Sequence, residues 1–208
     1  MLTVTEKSTT PREPIPAKVH IAVCNSIIDL GVQTKTYNNQ PAKQVREVLI
    51  GWELPYETID VEGEKVPRII SRTYTMSLNE KARLRKDIES WLGRALSLDE
   101  LRCFNLTSMV AKPCQLQVVH TQRNGNTYAN INNIMSLPDN MPIPAPTQVV
   151  IFDLDDKDAM ETVNLLPEWI QKRIKEGITW QEMQNRADRP LWGDNDAIPA
   201  PSDEDVPY

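Results

Sequence analysis

Glycine and phenylalanine are scarce in this chain, and long apolar runs are missing from it. Seven glycines and two phenylalanines among 208 residues argue against a glycine-rich nucleotide-binding fold. No apolar run approaches the ~20 residues that a membrane-spanning helix needs. Residues 1–17 lack the apolar core of a secretion signal. We therefore expect a flexible N-terminal leader over residues 1–17 and a cytoplasmic protein without membrane contact.

Cysteine and histidine are too few to suggest a metal centre. Cys24, Cys103 and Cys114 are odd in number and form no CxxC pair, which argues against both a zinc site and a disulfide framework. The two histidines, His20 and His120, lie far apart in the sequence. We expect reduced, buried thiols, no metal and no cofactor.

The common catalytic motifs are also missing. G-x-S-x-G, a Walker lysine and H-E-x-x-H do not occur. The stretch VVIFDLDD (149–156) resembles the first motif of haloacid-dehalogenase-type phosphotransferases, but Asp156 and Lys157 stand where that family has Gly-Thr. A calcium loop is excluded because Asp158 occupies the sixth position, which requires glycine. We expect an acidic loop here and no enzyme, with a catalytic site assembled from distant residues as the least favoured hypothesis.

Charge is unevenly distributed along the chain. The net charge is −6, yet residues 150–208 alone hold 14 acidic and 6 basic side chains. Residues 1–149 therefore hold 17 basic and 15 acidic side chains, an excess of two positive charges. Summed charge governs the choice of partners more than the fold, so a mildly basic body and an acidic tail predict two separate binding functions.

The body alternates between strand patterns and one helical pattern. Residues 18–28, 44–54 and 68–77 are rich in β-branched side chains, as strands are. A helix is then predicted from the capping box Ser77-x-x-Glu80, with one apolar stripe and a stop at Gly93. The stripe consists of Leu84, Ile88, Trp91, Leu92 and Ala95. A second capping box, Ser97-x-x-Glu100, predicts a short second helix.

Two further strands follow, over residues 115–122 and 127–137, and Asn124-Gly125 between them is a strong hairpin signal. Three strands, a helix and a two-stranded hairpin are the element order of an OB-fold, a five-stranded Greek-key barrel with its helix between strands 3 and 4. We favour this mainly β fold with α over the alternative, a five-stranded α+β sheet of another topology. The predicted domain covers residues 18–138.

Three segments are expected beyond this domain. Residues 139–148 form a stiff proline-rich linker. Residues 149–185 form an extension with a strand at 149–152 and a short helix within 166–177, docked through Trp169, Ile170 and Ile174. Residues 186–208 form a disordered acidic tail.

The predicted third strand supplies the first candidate binding residues. Alternation places Arg68, Ile70, Arg72, Tyr74 and Met76 on one side. Two guanidiniums beside a phenol are unusual for a core face and suit a nucleic-acid groove. The alternative is that Tyr74 packs inward while the arginines pair with acids such as Glu47 or Glu53.

The predicted hairpin supplies the second group. Tyr128, Asn130 and Asn132 share a side, opposite Ala129, Ile131, Asn133, Met135 and Leu137, and Arg123 lies at the tip. Lys112 and Tyr56 complete the candidate set. Trp52 lies among apolar residues and is assigned to the core, although a stacking role stays open. The cations Lys81, Arg83, Arg85 and Lys86 are assigned to a solvated helix face.

Aromatic side chains beside cations favour single-stranded DNA as the ligand, because stacking requires exposed base faces and each stack contributes about 1–3 kcal/mol. No recognition helix for major-groove contacts is signalled. The residues do not distinguish DNA from RNA, and they leave a homo-oligomer open.

The chain ends in PSDEDVPY, whose last six residues combine three acids with an aliphatic-Pro-aromatic sequence: Asp203, Glu204, Asp205, Val206, Pro207 and Tyr208. This ending resembles the C-terminal tip of bacterial and bacteriophage single-stranded-DNA-binding proteins, although bacterial members usually end in Phe. Residues 67–94 and 124–138 are similar to small phage proteins of the same kind.

The resemblance implies sequence-independent single-stranded DNA binding in phage replication or recombination, in the host cytoplasm. It also implies that the tail recruits replication or repair proteins and competes with DNA when the groove is empty. The alternative function is a protein-interaction adaptor of a replisome or virion that does not bind DNA.

Overall fold

A single mixed sheet organises the chain. The computed structural model describes residues 13–36, 41–138, 141 and 143–187. The sheet has six strands: β1 Val19–Lys35, β2 Lys43–Val61, β3 Glu64–Thr75, β4 Pro113–Arg123, β5 Asn126–Met135 and β6 Val150–Phe152. Five of them follow the order β3-β2-β1-β4-β5 with antiparallel neighbours. The expectation of a mainly β fold with α is confirmed.

Strand β1 is shared between two partners on one of its edges. Its first residues, Val19 to Val23, pair with β4, whereas Ser26 to Ile28 pair in parallel with β6. Register shifts between Cys24 and Ser26 and between Asp29 and Gly31 interrupt its ladder with β2. Such bulges bend a strand. The short strand predicted at residues 149–152 is present as β6.

The described residues form five α-helices, two between β3 and β4 and three after β6: α1 Arg83–Leu92, α2 Leu98–Arg102, α3 Ala159–Thr162, α4 Glu168–Lys175 and α5 Ile178–Ala187. Gly93 ends α1 in a left-handed conformation, and the capping box of Ser97 and Glu100 starts α2, both as predicted. The prediction that a capping box at Ser77 and Glu80 starts this helix is wrong. Its Oγ accepts from the Asn79 backbone nitrogen instead, and α1 begins after Ala82.

One face of the sheet packs on α1 and forms the first core. Leu84, Ile88 and Trp91 of the predicted stripe are buried there. Trp52 lies against Trp91 with ring centroids 5.6 Å apart, so its assignment to the core is confirmed. Cys24 and Cys114 are buried in the same core, and burial raises the pKa of the Cys24 thiol to about 12.

The opposite face of β1 and β2 packs on the C-terminal helices and forms a second core. Ile28, Leu30 and Leu49 contribute from the sheet, and Ile170, Ile174 and Trp180 are among the residues that contribute from the helices. The predicted helix within 166–177 is present as α4. Trp169 was expected to dock it, but its side chain is 58% exposed. Ile170 and Ile174 supply that contact without it.

Polar contacts fasten the C-terminal extension to the sheet, so residues 149–185 are a structural part of it. Arg46 Nη2 lies 2.5 Å from Asp29 and 2.8 Å from Asp155 Oδ2. These carboxylates, Asp29 first, raise the pKa of Arg46. Thr147, at the end of the predicted linker, donates its backbone and hydroxyl hydrogens to the buried Glu53.

The predicted leader ends earlier than residue 17. Ile15 is buried in the first core, and its carbonyl accepts a 2.8 Å hydrogen bond from His120 when Nε2 is protonated. Arg68 donates to the carbonyl of Glu13. Residues 13–17 therefore belong to the fold, while residues 1–12 and the tail from 188 onward lie outside the described residues.

None of the helices in the described ranges is long and apolar enough to cross a membrane.

Candidate nucleic-acid interface

Tyr74 is not available to a ligand, which corrects its assignment to the DNA-binding set. Its side chain is 3% exposed, and its hydroxyl donates to Asp87 Oδ2 at 2.9 Å. Burial, with the nearby Asp87 charge, raises the pKa of the phenol. A ring enclosed in this way cannot stack on a base.

Arg72 and Arg68 are committed to the protein as well. Arg72 Nη1 lies 2.9 Å from Asp87 Oδ2, with its guanidinium 5.9 Å from the Tyr74 ring centroid. Arg68 binds the Glu13 carbonyl. The alternative of an inward-packed Tyr74 therefore holds, but the acid that pairs with Arg72 is Asp87 rather than Glu47 or Glu53.

The hairpin keeps its predicted candidates on the surface. Asn124 and Gly125 both have positive φ, at 50° and 77°, as a tight hairpin turn requires. Tyr128 is 49% exposed, and Asn130 and Arg123 are exposed too. Asn130 donates to Thr121 Oγ1 at 2.7 Å. This face is uncharged apart from Arg123, so it offers little attraction to a phosphate backbone.

A bulge changes the sides of β5 beyond Ile131. The register with β4 shifts between Gln117 and Val118, which leaves Asn132 as the extra residue. After it, Ile134 is buried and Asn133 is exposed. The prediction that Asn133, Met135 and Leu137 share a side with Ala129 and Ile131 is therefore wrong beyond Ile131.

Tyr56 and Lys112 are exposed but do not join the other candidates. Tyr56 lies on β2 within the register shift between Leu54 and Thr58, and is 66% exposed. Lys112 lies just before β4. The predicted DNA-binding residues are thus distributed over several surfaces and form no single site.

The other side of β3 forms a different and continuous surface. Ile69, Ser71, Thr73 and Thr75 are all exposed and share one face of the strand. Beside it, the second core holds α4 against β1 and β2. We call the surface between the exposed face of β3 and α4 the β3–α4 channel. At about 3.3 Å per residue, the four side chains span about 20 Å.

A basic cleft lies at the Thr75 end of the channel. It holds about 540 Å³ and is lined by Lys35, Thr73, Tyr74, Thr75, Ser77, Asn79, Lys81, Ala82, Arg83 and Leu84. Three cations and no carboxylate line this space, together with the hydroxyl or amide side chains of Thr73, Thr75, Ser77 and Asn79 and the buried Tyr74, whose hydroxyl is bound to Asp87. Such a lining matches the oxygens of a phosphodiester.

Two buried carboxylates position these cations without neutralising them all. Glu47, which is fully buried, pairs with Lys35 and with Arg173 Nη2 at 2.7 Å. Asp87 pairs with Arg72 and with Arg83 Nε at 2.8 Å. Lys81 makes no ion pair within the described ranges. Of the three cations that line the cleft, Lys35 and Arg83 are therefore ion-paired, and each of the two carboxylates also binds a second cation outside the cleft.

Arg173 continues the cationic end along α4. It lies four residues after Trp169, on the same side of the helix. Trp169 lines a second groove of about 660 Å³ at the Ile69 end of the channel. The exposed face of β3 therefore has an exposed indole beside one end and a cluster of cations at the other.

Sequence reasoning missed the channel because its parts are distant in the chain. Lys35 and Lys81 line one cleft, and Lys35 and Arg173 share Glu47, only because β1, the segment before α1 and α4 pack together. The sequence pattern predicts Lys81 and Arg83 on a solvated helix face. One local signal points to it: the row Ile69, Ser71, Thr73 and Thr75 carries no charge and alternates with the row that contains Arg68, Arg72 and Tyr74.

The described part of the chain contains no cluster of three or more His, Cys, Asp or Glu side chains that could hold a metal ion. The predicted partner-binding residues Asp203 to Tyr208 lie outside the described residues.

Neither a scan of protein-family models nor a search of curated proteins finds a match to this chain.

Proposed function

We propose that this protein binds single-stranded DNA without sequence preference, along the β3–α4 channel. The observation that carries the proposal is the basic cleft, where three cations and several neutral polar side chains surround one space that no carboxylate lines. Lysine and arginine side chains there replace the counterions of the phosphate backbone.

The absence of sequence preference follows from the kind of groups that line the cleft. Hydroxyl, ammonium and guanidinium groups reach phosphate oxygens, which are the same for every base. An unpaired strand is favoured over a duplex because its bases are free to turn toward the channel wall while its phosphates meet the cations.

The strand order supports an OB-like barrel as the finer description of the fold. The order β3-β2-β1-β4-β5 is that of a five-stranded Greek-key barrel opened between β3 and β5. Helix α1 contacts both of these strands, and Arg83 donates to the Asn132 carbonyl of β5. OB-folds bind oligonucleotides on the face of strands 2 and 3, and the channel lies along strand 3.

The acidic tail supplies the second half of the proposal. Asp203, Glu204 and Asp205 with Val206, Pro207 and Tyr208 would recruit replication or recombination proteins, as the resemblance to phage and bacterial single-stranded-DNA-binding proteins suggests. In this role the chain is a binding protein rather than an enzyme.

Titration of oligo-dT across a salt series tests the DNA half. We expect binding that weakens steeply with salt. Compared with the wild type, Lys81→Glu should have a lower affinity for oligo-dT, and its slope of log K against log salt should be smaller by about 0.7 for each lost phosphate contact. Lys65→Glu, an exposed lysine at the far end of β3, is the matched control and should bind like the wild type. Equal effects of the two variants on oligo-dT affinity would show that the cleft is not part of the DNA-binding site.

An adaptor function without DNA is the second candidate. The groove beside Trp169 favours it, because Ile69, Leu165 and Trp169 expose large apolar surfaces there. Exposed apolar patches of this kind often contact proteins. Absence of oligo-dT binding at low salt, in a protein that remains folded, would favour this candidate over the first.

A further inference from the structure

The groove at the Ile69 end of the channel has the walls of an aromatic-ring site. Trp169 and Ile69 are each 58% exposed and Leu165 is 84% exposed, and all three line this one groove. Ile28, Leu49 and Ile170 of the second core lie beneath them. A flat apolar ring that enters here can lie on the indole and contact aliphatic side chains around it.

The polar groups of the groove are neutral. Asn25, Ser26, Ser71 and Gln148 contribute amides and hydroxyls to its lining. Asn25 is buried, and its Oδ1 accepts a 3.2 Å hydrogen bond from Ser26 Oγ. None of the described residues that line the groove is charged. Neutral donors and acceptors fit the edge of an uncharged heteroaromatic ring, whereas a phosphate would meet no cation.

The position of this groove next to cations favours a nucleobase over an apolar peptide as its ligand. Arg173 follows Trp169 by one turn of α4 and lies beside Lys35, with Glu47 between them. A base on Trp169 is therefore followed by cations in the direction of the basic cleft, where the phosphates of the same strand would lie. An apolar peptide would need no such neighbour.

We propose that this groove binds an unpaired nucleobase, stacked on Trp169, in a site built by the C-terminal extension rather than by the sheet alone. The inference rests on the proposed function, since the base belongs to the strand whose phosphates occupy the basic cleft. It assigns the stacking role to Trp169 in place of Tyr74.

Trp169→Ala tests the inference with two probes, oligo-dT and an abasic oligonucleotide of the same length. The affinity for oligo-dT should fall about 5- to 150-fold, the range of one base stack. The affinity for the abasic strand should stay at the wild-type value, and Trp169→Phe should retain most of the oligo-dT affinity. Tyr128→Ala, which removes an exposed aromatic on the hairpin, is the matched control and should change neither affinity.

The outcomes distinguish a failure of this inference from a failure of the proposed DNA-binding function. If Trp169→Ala binds both strands like the wild type, or loses affinity for both equally, no base stacks on the indole and the inference fails while DNA binding stands. If the wild type binds neither strand, the proposed function fails and the inference with it. Because Trp169 is largely exposed, Trp169→Ala should keep the wild-type thermal unfolding midpoint.

Discussion

The hydroxyl of Tyr74 donates to Asp87 Oδ2 over 2.9 Å, and this bond joins the inner face of β3 to helix α1. Arg72 and Arg83 reach the same carboxylate. Asp87 is buried, so the two guanidiniums compensate a charge that would otherwise be costly to enclose. Arg72 and Tyr74, two residues of the row that predicted a DNA-binding surface, instead fasten the helix to the sheet.

Tyr74→Phe should lower the free energy of unfolding by about 1.5–3 kcal/mol, because it removes a hydrogen bond to a charged group. Oligo-dT affinity should not change. Burial raises the pKa of Tyr74, so folding favours the neutral phenol that makes this hydrogen bond. Its contribution to the free energy of unfolding is fully present below the ordinary tyrosine pKa of about 10 and is lost as pH rises above that value. Urea unfolding with parallel DNA titration measures both quantities. Reduced DNA affinity of a folded Tyr74→Phe variant would show that Tyr74 takes part in DNA binding after all.

Gly31→Ala should destabilise the fold more than Gly125→Ala. Both glycines have positive φ, at 70° and 77°, so both substitutions carry a similar backbone penalty. A Cβ at Gly31 would lie 2.8 Å from Leu154 Cδ1 and 3.0 Å from Thr179 Cβ, whereas one at Gly125 would meet nothing within 4 Å. We expect an additional loss of about 1–3 kcal/mol at Gly31, measured by chemical denaturation. Equal losses in the free energy of unfolding for the two variants would mean that the C-terminal extension does not pack closely against β1 at Gly31.

Local chemistry made several elements predictable. Asn124-Gly125 determines a hairpin through its positive φ angles, and Gly93 and the Ser97 capping box mark helix ends through backbone hydrogen bonds. Trp52 was correctly assigned because its neighbours on the same strand face are all apolar. Each of these depends on residues close together in the sequence.

Long-range packing determined what the sequence did not reveal. Alternation divides β3 into two faces but does not say which one meets α1, and the charges of Arg68 and Arg72 predict the wrong face as the surface. The bulge at Asn132 reverses the sides of β5 without a sequence mark. The apolar residues of α4 predict Trp169 as a docking residue, yet Ile170 and Ile174 hold the helix without it.

Deletion of Asp203–Tyr208 should separate the two binding functions. Oligo-dT affinity should stay the same or rise, because the deleted acids would compete with phosphates for the same cations. Capture of partner proteins by the immobilised chain should be lost. The matched control replaces Val206 and Tyr208 with alanine and keeps the three acids, which should abolish capture without raising DNA affinity. Weaker DNA binding after the deletion would contradict competition by the tail.

Ultraviolet crosslinking of oligo-dT to the full chain, with the crosslinked peptides identified by mass spectrometry, tests the location of the strand directly. Binding in the β3–α4 channel predicts crosslinks within residues 165–173 of the α4 side and within 69–83, which cover the exposed face of β3 and the basic cleft. Crosslinks confined to the hairpin around Tyr128, with none in these two segments, would contradict the channel as the DNA-binding site.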